Sequence, residues 1–231
     1  MKRVDNLRDR NFPDTRIRFR FSRLPGASCA SNSGQIKEFR RRAAASGLPF
    51  CGNNVPKMSF GPALAENCSS RCEFADLYLY DFASGEEAFE KISQFDDGNY
   101  SLLSAERVPV FFPSVEAAAN AAKYSVSSEI DLFDTGRLNK FLCSKELVFA
   151  RVKSSGKTQS FDVRALCLAA EIKDCGKKFE FVISVSQGAN LKPEEVMKSI
   201  FGQDVFPSDK ALSIERTELY WINSKGEFEV F

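Results

Sequence analysis

Apolar and polar side chains alternate most strictly near the beginning of the chain. From residue 16 to residue 21, arginine occupies every even position and an apolar side chain every odd one. Successive side chains of a β-strand point to opposite faces, so this period of two predicts a strand with one apolar and one basic face. The alternation returns between Glu73 and Phe82. We therefore expect two half-buried strands in the first half of the chain.

Helical patterns separate these strands. Apolar residues recur at helical spacing over residues 33–45, and Gly47 follows as a helix-ending residue. Ser84 precedes a second helix, with Glu87 at the capping-box position three residues later. Both helices are therefore predicted to be amphipathic and to pack on the sheet.

The resulting order is strand, helix, strand, strand, helix, strand. A short strand at residues 58–60 and a closing strand at 102–110 complete it. This order is that of the ferredoxin-like, or split βαβ, arrangement. The fold class is therefore predicted to be α+β, with residues 1–14 as a mobile tail and residues 15–112 as a first ferredoxin-like domain.

The second half repeats the order and defines a second ferredoxin-like domain at residues 113–231, with one extra strand. An alanine-rich helical linker is predicted at residues 114–122. The other predicted elements are a strand from residue 124, a short helix at 134–142, a hairpin of 147–152 and 161–172, a strand at 179–185, a helix from Pro193 to Gly202, and a strand at 214–221.

The nearly neutral net charge of +1 hides an uneven distribution. Residues 1–57 hold 13 of the 32 basic residues and 4 of the 31 acidic ones, so positive charge is concentrated at the beginning of the chain. Such a distribution favours a surface that faces a polyanion. It is equally typical of charges that attract the two halves to each other or are simply solvated.

Composition excludes several kinds of chemistry. Histidine is absent, so a Ser-His-Asp or Cys-His mechanism within this chain is excluded. The seven cysteines are irregularly spaced, and the Cys68–Cys72 pair lacks a third cysteine at Ala75 for an iron–sulfur loop. We therefore expect no metal or other cofactor. No signal peptide or apolar membrane span is visible, and we expect a cytoplasmic protein without membrane contact.

The basic face of the first strand is the leading candidate site. In a ferredoxin-like sheet the first and third strands are neighbours, so one face is predicted to carry six polar side chains: Arg16, Arg18, Arg20, Asp76, Tyr78 and Tyr80. Arginine and tyrosine on an open sheet face bind phosphates and stack bases. The alternative is a covered face on which Asp76 pairs with an arginine.

A second candidate site contains Asp162 and Arg164. A carboxylate and an arginine at this spacing fit an enzyme that performs acid–base chemistry on a nucleotide or RNA, if burial raises the carboxyl pKa. They equally fit a structural pair beside a strand.

A series of short motifs over about residues 16–222 is similar to those of a known family. In chain order they are Arg18-Phe19-Arg20-Phe21-Ser22-Arg23, Gly47-Leu48-Pro49, Ser59-Phe60-Gly61-Pro62-Ala63-Leu64, Glu73-Phe74-x-Asp76, Asp162-Val163-Arg164, Lys192-Pro193-Glu194-Glu195-Val196, Ile200-Phe201-Gly202 and Glu215-Arg216-Thr217-x-Leu219-Tyr220. With these motifs the chain resembles the radical-SAM-linked domain of unknown function. This domain occurs alone or fused behind a cobalamin-binding radical SAM protein, and its genes often lie near those of ribonuclease E/G and ribosomal proteins.

Two family motifs are altered, which marks a divergent member. A Ser-His-Leu-Asp motif corresponds here to Ser31-Asn32-Ser33-Gly34, and a Tyr-Ser-x-Gly-Phe-Asn-Pro-His-Pro loop is shortened to residues 51–56. Both family histidines are lost. Any chemistry or metal contact that depends on those histidines is therefore lost in this chain.

From the residues and the resemblance together we expect a non-enzymatic accessory module. It would bind a radical SAM protein, RNA, or both, in RNA or ribosome-linked maturation. Ser31 and Lys57 join the arginine and tyrosine face as candidate binding residues. Two alternatives stay open: an enzyme that uses carboxylate and arginine chemistry, and a degenerate scaffold paralogue.

Overall fold

A computed structural model describes residues 12–27, 31–95, 98–152, 156–185, 191–202 and 212–231. These residues form two compact units. The first contains the described residues up to Glu66 and Ser70–Ala118, and the second contains Asn67–Ser69 and the described residues of Ala119–Phe231. The predicted mobile tail at residues 1–14 lies almost wholly outside the described residues. The predicted domain limits of 15–112 and 113–231 stay a prediction.

The first unit has the predicted order of elements and confirms the α+β class. Its strands β1–β4 stand in the order β4-β1-β3-β2, and all neighbours are antiparallel. The assignment of ferredoxin-like domains stays a prediction. The elements are β1 (Thr15–Arg23), α1 (Asn32–Ala45), β2 (Met58–Phe60), β3 (Ser69–Leu79), α2 (Gly85–Ser93), β4 (Tyr100–Val108) and α3 (Val115–Ala118), with a short 3-10 turn at Pro25–Ala27.

The core of the first unit lies between the apolar strand face and the two longer helices. Ile17 and Phe19 of β1 are buried and pack with Ala43 of α1 and Ile92 of α2, and Phe21 packs with Phe39 of α1. Burial of one large apolar side chain contributes about 1.5–3 kcal/mol, so the alternation in β1 fixes which face meets the helices. The predicted core residues are confirmed: Ile17, Phe19, Phe21, Leu77 and Leu79.

Serine caps, of which the one at Ser84 is predicted from the sequence, explain where α1 and α2 begin. Ser84 Oγ accepts a hydrogen bond from the Glu87 backbone N–H at 3.0 Å and starts α2. Ser31 Oγ accepts one from Gly34 N–H at 3.1 Å and starts α1. Each cap satisfies a backbone donor that has no partner within the helix.

A carboxylate held by two arginines gives α1 a pH-dependent contribution to stability. Glu38 accepts hydrogen bonds from Arg41 Nη2 at 2.7 Å and Arg42 Nε at 2.8 Å. These arginines, Arg41 foremost, lower the pKa of Glu38 to about 2 against partial burial, which acts to raise it. Because the pKa of folded Glu38 lies below its ordinary value of 4.5, this stabilisation is present above about pH 4.5 and disappears as the pH falls toward 2.

We therefore expect Glu38→Gln to destabilise the protein at neutral pH and not in acid. Allowing for solvent screening, the loss at about pH 7 is about 1–2 kcal/mol, and variant and wild type converge near pH 2. Urea unfolding at both pH values measures the difference. A constant difference at the two pH values would contradict this assignment.

The second unit repeats the arrangement with additions. Four of its strands stand in the antiparallel order β10-β5-β9-β8, with β11 paired to β10 and β6 to β7. The prediction of one extra strand is wrong, because the described part of this unit has seven strands. The elements are β5 (Ala121–Ser127), α4 (Thr135–Cys143), β6 (Val148–Val152), β7 (Thr158–Asp162), α5 (Val163–Leu166), β8 (Cys167–Lys173), β9 (Lys178–Ser184), α6 (Pro193–Phe201), β10 (Ser213–Ile222) and β11 (Phe228–Val230).

Two element predictions for the second half are wrong. The alanine-rich linker at 114–122 is helical only in α3, and β5 begins at Ala121 because pairing with β9 and β10 outweighs the helix propensity of alanine. The predicted strand 161–172 is split into β7 and β8 by α5, which Asp162 caps. The other strands and helices of this half are confirmed within two or three residues at their ends, which is the usual uncertainty of boundaries.

The core of the second unit is aromatic. Phe179 lies 4.9 Å from Phe181 and 5.0 Å from Phe201, measured between ring centroids. Phe133 packs on the same group, 5.3 Å from Phe201. Such offset and edge-to-face contacts add to the stabilisation from burial. The phenylalanines that are abundant in the sequence therefore serve mainly as core in this unit.

The described cysteines are free thiols in two different environments. Cys51, Cys68, Cys72 and Cys167 are buried, whereas Cys143 and Cys175 are exposed. Burial raises the pKa of Cys167 to about 11. Because the thiolate is the reactive form, the buried thiols are chemically protected and the exposed ones are not.

Candidate functional site

Two arginines of β1 share one buried carboxylate of β3. Arg18 binds both Asp76 oxygens, with Nε 2.8 Å from Oδ1 and Nη2 3.2 Å from Oδ2. Arg16 donates to Asp76 Oδ2 through Nη2. The antiparallel register places Arg18 directly opposite Asp76, so the sequence alternation brings these groups together on the polar face.

The same arginines hold the chain that follows β4. Arg16 donates to the carbonyl oxygens of Phe112 and, at 3.0 Å, of Pro113. Arg18 Nη2 also approaches the Pro113 oxygen at 3.4 Å. The buried ion network therefore connects three parts of the first unit: β1, β3 and the segment of residues 109–113.

A tyrosine, a serine and a lysine complete the cluster. Ser59 Oγ lies 3.3 Å from Asp76 Oδ2 and 3.4 Å from the Tyr78 hydroxyl. The Tyr78 ring lies 5.4 Å from the Arg16 guanidinium carbon and 5.2 Å from Lys57 Nζ, distances typical of cation–π contacts. Lys57 is exposed. The cluster therefore extends from a buried carboxylate to a cation at the surface.

The prediction of an open arginine face is wrong for its centre. Arg16 and Asp76 each remain 1% exposed, and Arg18 is 13% exposed. Pairing explains the burial, because a guanidinium leaves water at tolerable cost only with a carboxylate and further acceptors around it. The alternative of a covered face with Asp76 paired to an arginine describes this centre correctly.

Arg20 has no ion pair among the described residues, unlike Arg16 and Arg18. It is half-buried, and its Nε, like that of Arg16, is buried without a hydrogen-bond partner among those residues. The register places it beside Phe74 of β3 and Ser104 of β4, neither of which is acidic. The structure thus leaves one of the three predicted arginines without an anionic partner in the described part of the chain.

Two other predicted binding residues lie outside this cluster. Ser31 acts as the N-cap of α1. Tyr80 follows the end of β3, where its backbone N–H donates to the Pro49 oxygen at 2.9 Å and its side chain is half-buried. Ser31 therefore has a structural use of its own, as the cap of a helix.

The alternative site at Asp162 and Arg164 is also a helix cap. Asp162 Oδ1 accepts hydrogen bonds from the backbone N–H groups of Leu147, at 3.1 Å, and Arg164, at 3.0 Å. These hydrogen bonds, that of Leu147 first, lower the pKa of Asp162. The Arg164 side chain instead donates to the Cys167 oxygen at 3.3 Å. A general acid needs a raised pKa, so this arrangement does not favour the enzymatic alternative.

Two open depressions lie in the second unit, and no predicted site residue lines either of them. One, of about 490 Å³, borders the turn Asp174–Gly176, where Asp174 and Cys175 have positive φ angles. The other, of about 400 Å³, lies between α4 and the end of α6. Among the described residues, no group of three or more cysteine, aspartate or glutamate side chains is arranged to hold a metal ion.

The sequence interpretation missed Ser59 and the two phenylalanines at 111 and 112. Phe111 is 85% exposed and Phe112 50%, and their ring centroids lie 5.3 Å apart. The available signal was the run Pro109-Val110-Phe111-Phe112-Pro113, in which two prolines flank large apolar residues directly after a strand. Prolines fix φ and end regular structure, so such a run predicts an ordered turn with exposed rings.

These observations define an α+β protein of two units, the first of which carries a cationic network beside exposed aromatic rings. A family model described as an uncharacterized protein conserved in bacteria (DUF2344) matches residues 16–193, and the chain belongs to this family. No curated protein matches the chain. Within the described ranges, no helix is both long enough and apolar enough to cross a membrane.

Proposed function

We propose that this chain is a non-catalytic accessory module that binds RNA through the first unit. One observation carries the proposal: the Asp76 cluster has more cations than carboxylates. Arg16 and Arg18 pair with the single carboxylate of Asp76, and Lys57 lies over the Tyr78 ring of the same cluster. Glu106 lies opposite Arg18 on β4, and the five charged side chains together carry three positive and two negative charges.

The remaining donors of this cluster suit a phosphate group. Among the described residues Arg18 uses Nε and Nη2 to bind Asp76 and Pro113, and its Nη1 makes no hydrogen bond. Lys57 projects from the same cluster at the surface, and Arg20, which has no anionic partner among the described residues, lies on the same strand face. Phosphodiester backbones are bound by such partly fixed cations, with an affinity that falls steeply with salt.

The family resemblance supports the cellular context of the proposal. It implies a radical SAM protein as partner and a role in RNA or ribosome-linked maturation. The absence of histidine in this chain supports an accessory rather than a catalytic part in that context. Copurification of the chain with a radical SAM protein from its native cell tests the partner.

The test of RNA binding is a titration with an RNA hairpin at about 50 and 200 mM salt. For wild type we expect binding at low salt that weakens strongly at the higher concentration. In Arg18→Ala/Arg20→Ala the negative slope of log affinity against log salt should become less steep by about 1 to 2. The change should be the same for all RNA sequences. Fluorescence anisotropy of a labelled hairpin measures both quantities.

The matched control removes two exposed lysines from the second unit. Lys140→Ala/Lys145→Ala changes the net charge by the same amount and should leave the salt slope as in wild type. Absence of binding at low salt would contradict the proposal. So would equal effects of the two double variants, because the effect would then follow net charge rather than this site.

A further inference from the structure

Four exposed phenylalanines of the first unit lie at one end of its sheet. Phe111 and Phe112 follow the end of β4, Phe82, which is 64% exposed, follows the end of β3, and Phe12, which is 71% exposed, precedes β1. The register brings these strand ends together with the beginning of β1. Clusters of large exposed apolar side chains mark interaction sites more often than chance surface.

The Phe111–Phe112 pair is held in a fixed conformation. Within residues 109–113, the Phe112 N–H donates to the Pro109 oxygen at 3.1 Å. The carbonyl oxygens of Phe112 and Pro113 accept hydrogen bonds from Arg16, which is buried. Because the segment is already ordered, the rings bind a partner without the entropic cost of ordering a loop.

The surroundings of the rings decide which partner they suit. Arg18 contacts the backbone of this segment, and Lys57 belongs to the same cluster. Phe82 has the Arg107 guanidinium carbon 5.0 Å from its ring centroid. Aromatic rings beside cations match unstacked bases with their phosphates, because each base offers a π-face and each nucleotide a negative charge.

We propose that Phe111 and Phe112 form a stacking platform for unpaired RNA bases, so that this unit selects single-stranded over duplex RNA. The inference rests on the proposed RNA binding and adds the class of RNA. In an A-form duplex the base faces are hidden by stacking, whereas bases of single strands and loops are free to stack on aromatic side chains. The cations then supply affinity and the rings supply selectivity.

The test compares one RNA sequence as a single strand and as a duplex. We expect wild type to prefer the single strand, and Phe111→Ala/Phe112→Ala to weaken single-strand binding about tenfold or more. Duplex binding should stay within about twofold and the salt slope should not change, because stacking releases no counterions. As a matched control, Phe228→Ala removes a phenylalanine of the second unit that is 47% exposed, and should leave both affinities unchanged.

A second measurement follows the ring directly. In a Trp221→Phe background, Phe111→Trp gives the chain a single tryptophan, whose fluorescence should be quenched when the single strand binds and not when the duplex binds. Unchanged single-strand affinity in the double alanine variant, or no quenching by bound single strand, would overturn the platform. If RNA binding depends on salt but not on the two rings, the proposed RNA-binding function is kept and only the platform is rejected. If wild type binds no RNA, the proposed function and the platform are both rejected.

Discussion

Asp76→Asn will lower the free energy of unfolding by about 3–5 kcal/mol. The substitution keeps the shape of the side chain and removes its charge, so Arg16 is left at 1% exposure without a counter-ion. Arg18 loses the ionic half of its two-point contact as well. Breaking a buried pair costs this much because the remaining charge stays out of water. Urea unfolding measures the change in midpoint.

An exposed ion pair provides the control for this effect. In α2, Lys91 Nζ lies 2.8 Å from Glu87 Oε1, and both side chains are well exposed. Glu87→Gln should therefore cost less than about 0.5 kcal/mol. If Asp76→Asn lowers the free energy of unfolding by less than about 1 kcal/mol, other groups compensate the charges of Arg16 and Arg18. The network would then not be what holds residues 109–113 in place.

Gly85→Ala will destabilise the first unit by about 2–4 kcal/mol. A Cβ atom at this position would lie 2.3 Å from the Ala105 carbonyl oxygen and 3.0 Å from the Glu106 Cα. Both are backbone atoms of β4, so no side chain can turn aside and α2 must move away from the sheet. Chemical denaturation gives the loss, and far-UV circular dichroism shows whether the fold is kept.

Gly34→Ala tests the same substitution where there is room. Gly34 lies in the first turn of α1, and an added Cβ would meet only Ser31 Oγ at 3.5 Å, an ordinary contact. Alanine is preferred over glycine in helices, so this variant should be about 0.5–1 kcal/mol more stable than wild type. If both glycine variants change stability in the same direction, close packing of α2 against β4 is not what Gly85 provides.

Most elements of the first unit could be predicted from the period-two and helical patterns of the sequence. The alternation in β1 predicts its two faces, and the Ser84 to Glu87 spacing predicts where α2 begins; both are confirmed. These signals are local, because a strand's faces and a helix cap depend on residues only a few positions apart. They required no knowledge of which strands are neighbours.

What the polar face of β1 touches could not be predicted in the same way. An arginine on a strand face has the same pattern whether it meets water, RNA or a carboxylate. Arg18 binds Asp76, which is 58 residues away in the sequence. Arg16 binds the carbonyl oxygen of Phe112, which is 96 residues away. Contacts at such separation depend on the complete packing of the unit. For that reason the sequence pattern places Arg16, Arg18 and Asp76 on one face but does not predict that this face is buried.

The linker at 114–122 shows a local preference overridden by packing. Its alanines favour a helix, yet Ala121 and Ala122 pair with β9 and β10 in the sheet of the second unit. Alanine fits in a helix or in a strand, so the strands that pack beside it decide which of the two forms. The split at Asp162 is a different case, because an aspartate at the N-cap position of a helix is a signal that the sequence does contain.

The unequal reactivity of the thiols offers a way to attach spectroscopic probes. Both exposed described cysteines, Cys143 and Cys175, belong to the second unit, and the buried thiols are shielded from reagents. With Cys29 replaced by serine, a maleimide dye would label the second unit and leave the Phe111–Phe112 platform unmodified. Energy transfer from such a dye to a labelled RNA would then report the distance between the bound strand and the second unit.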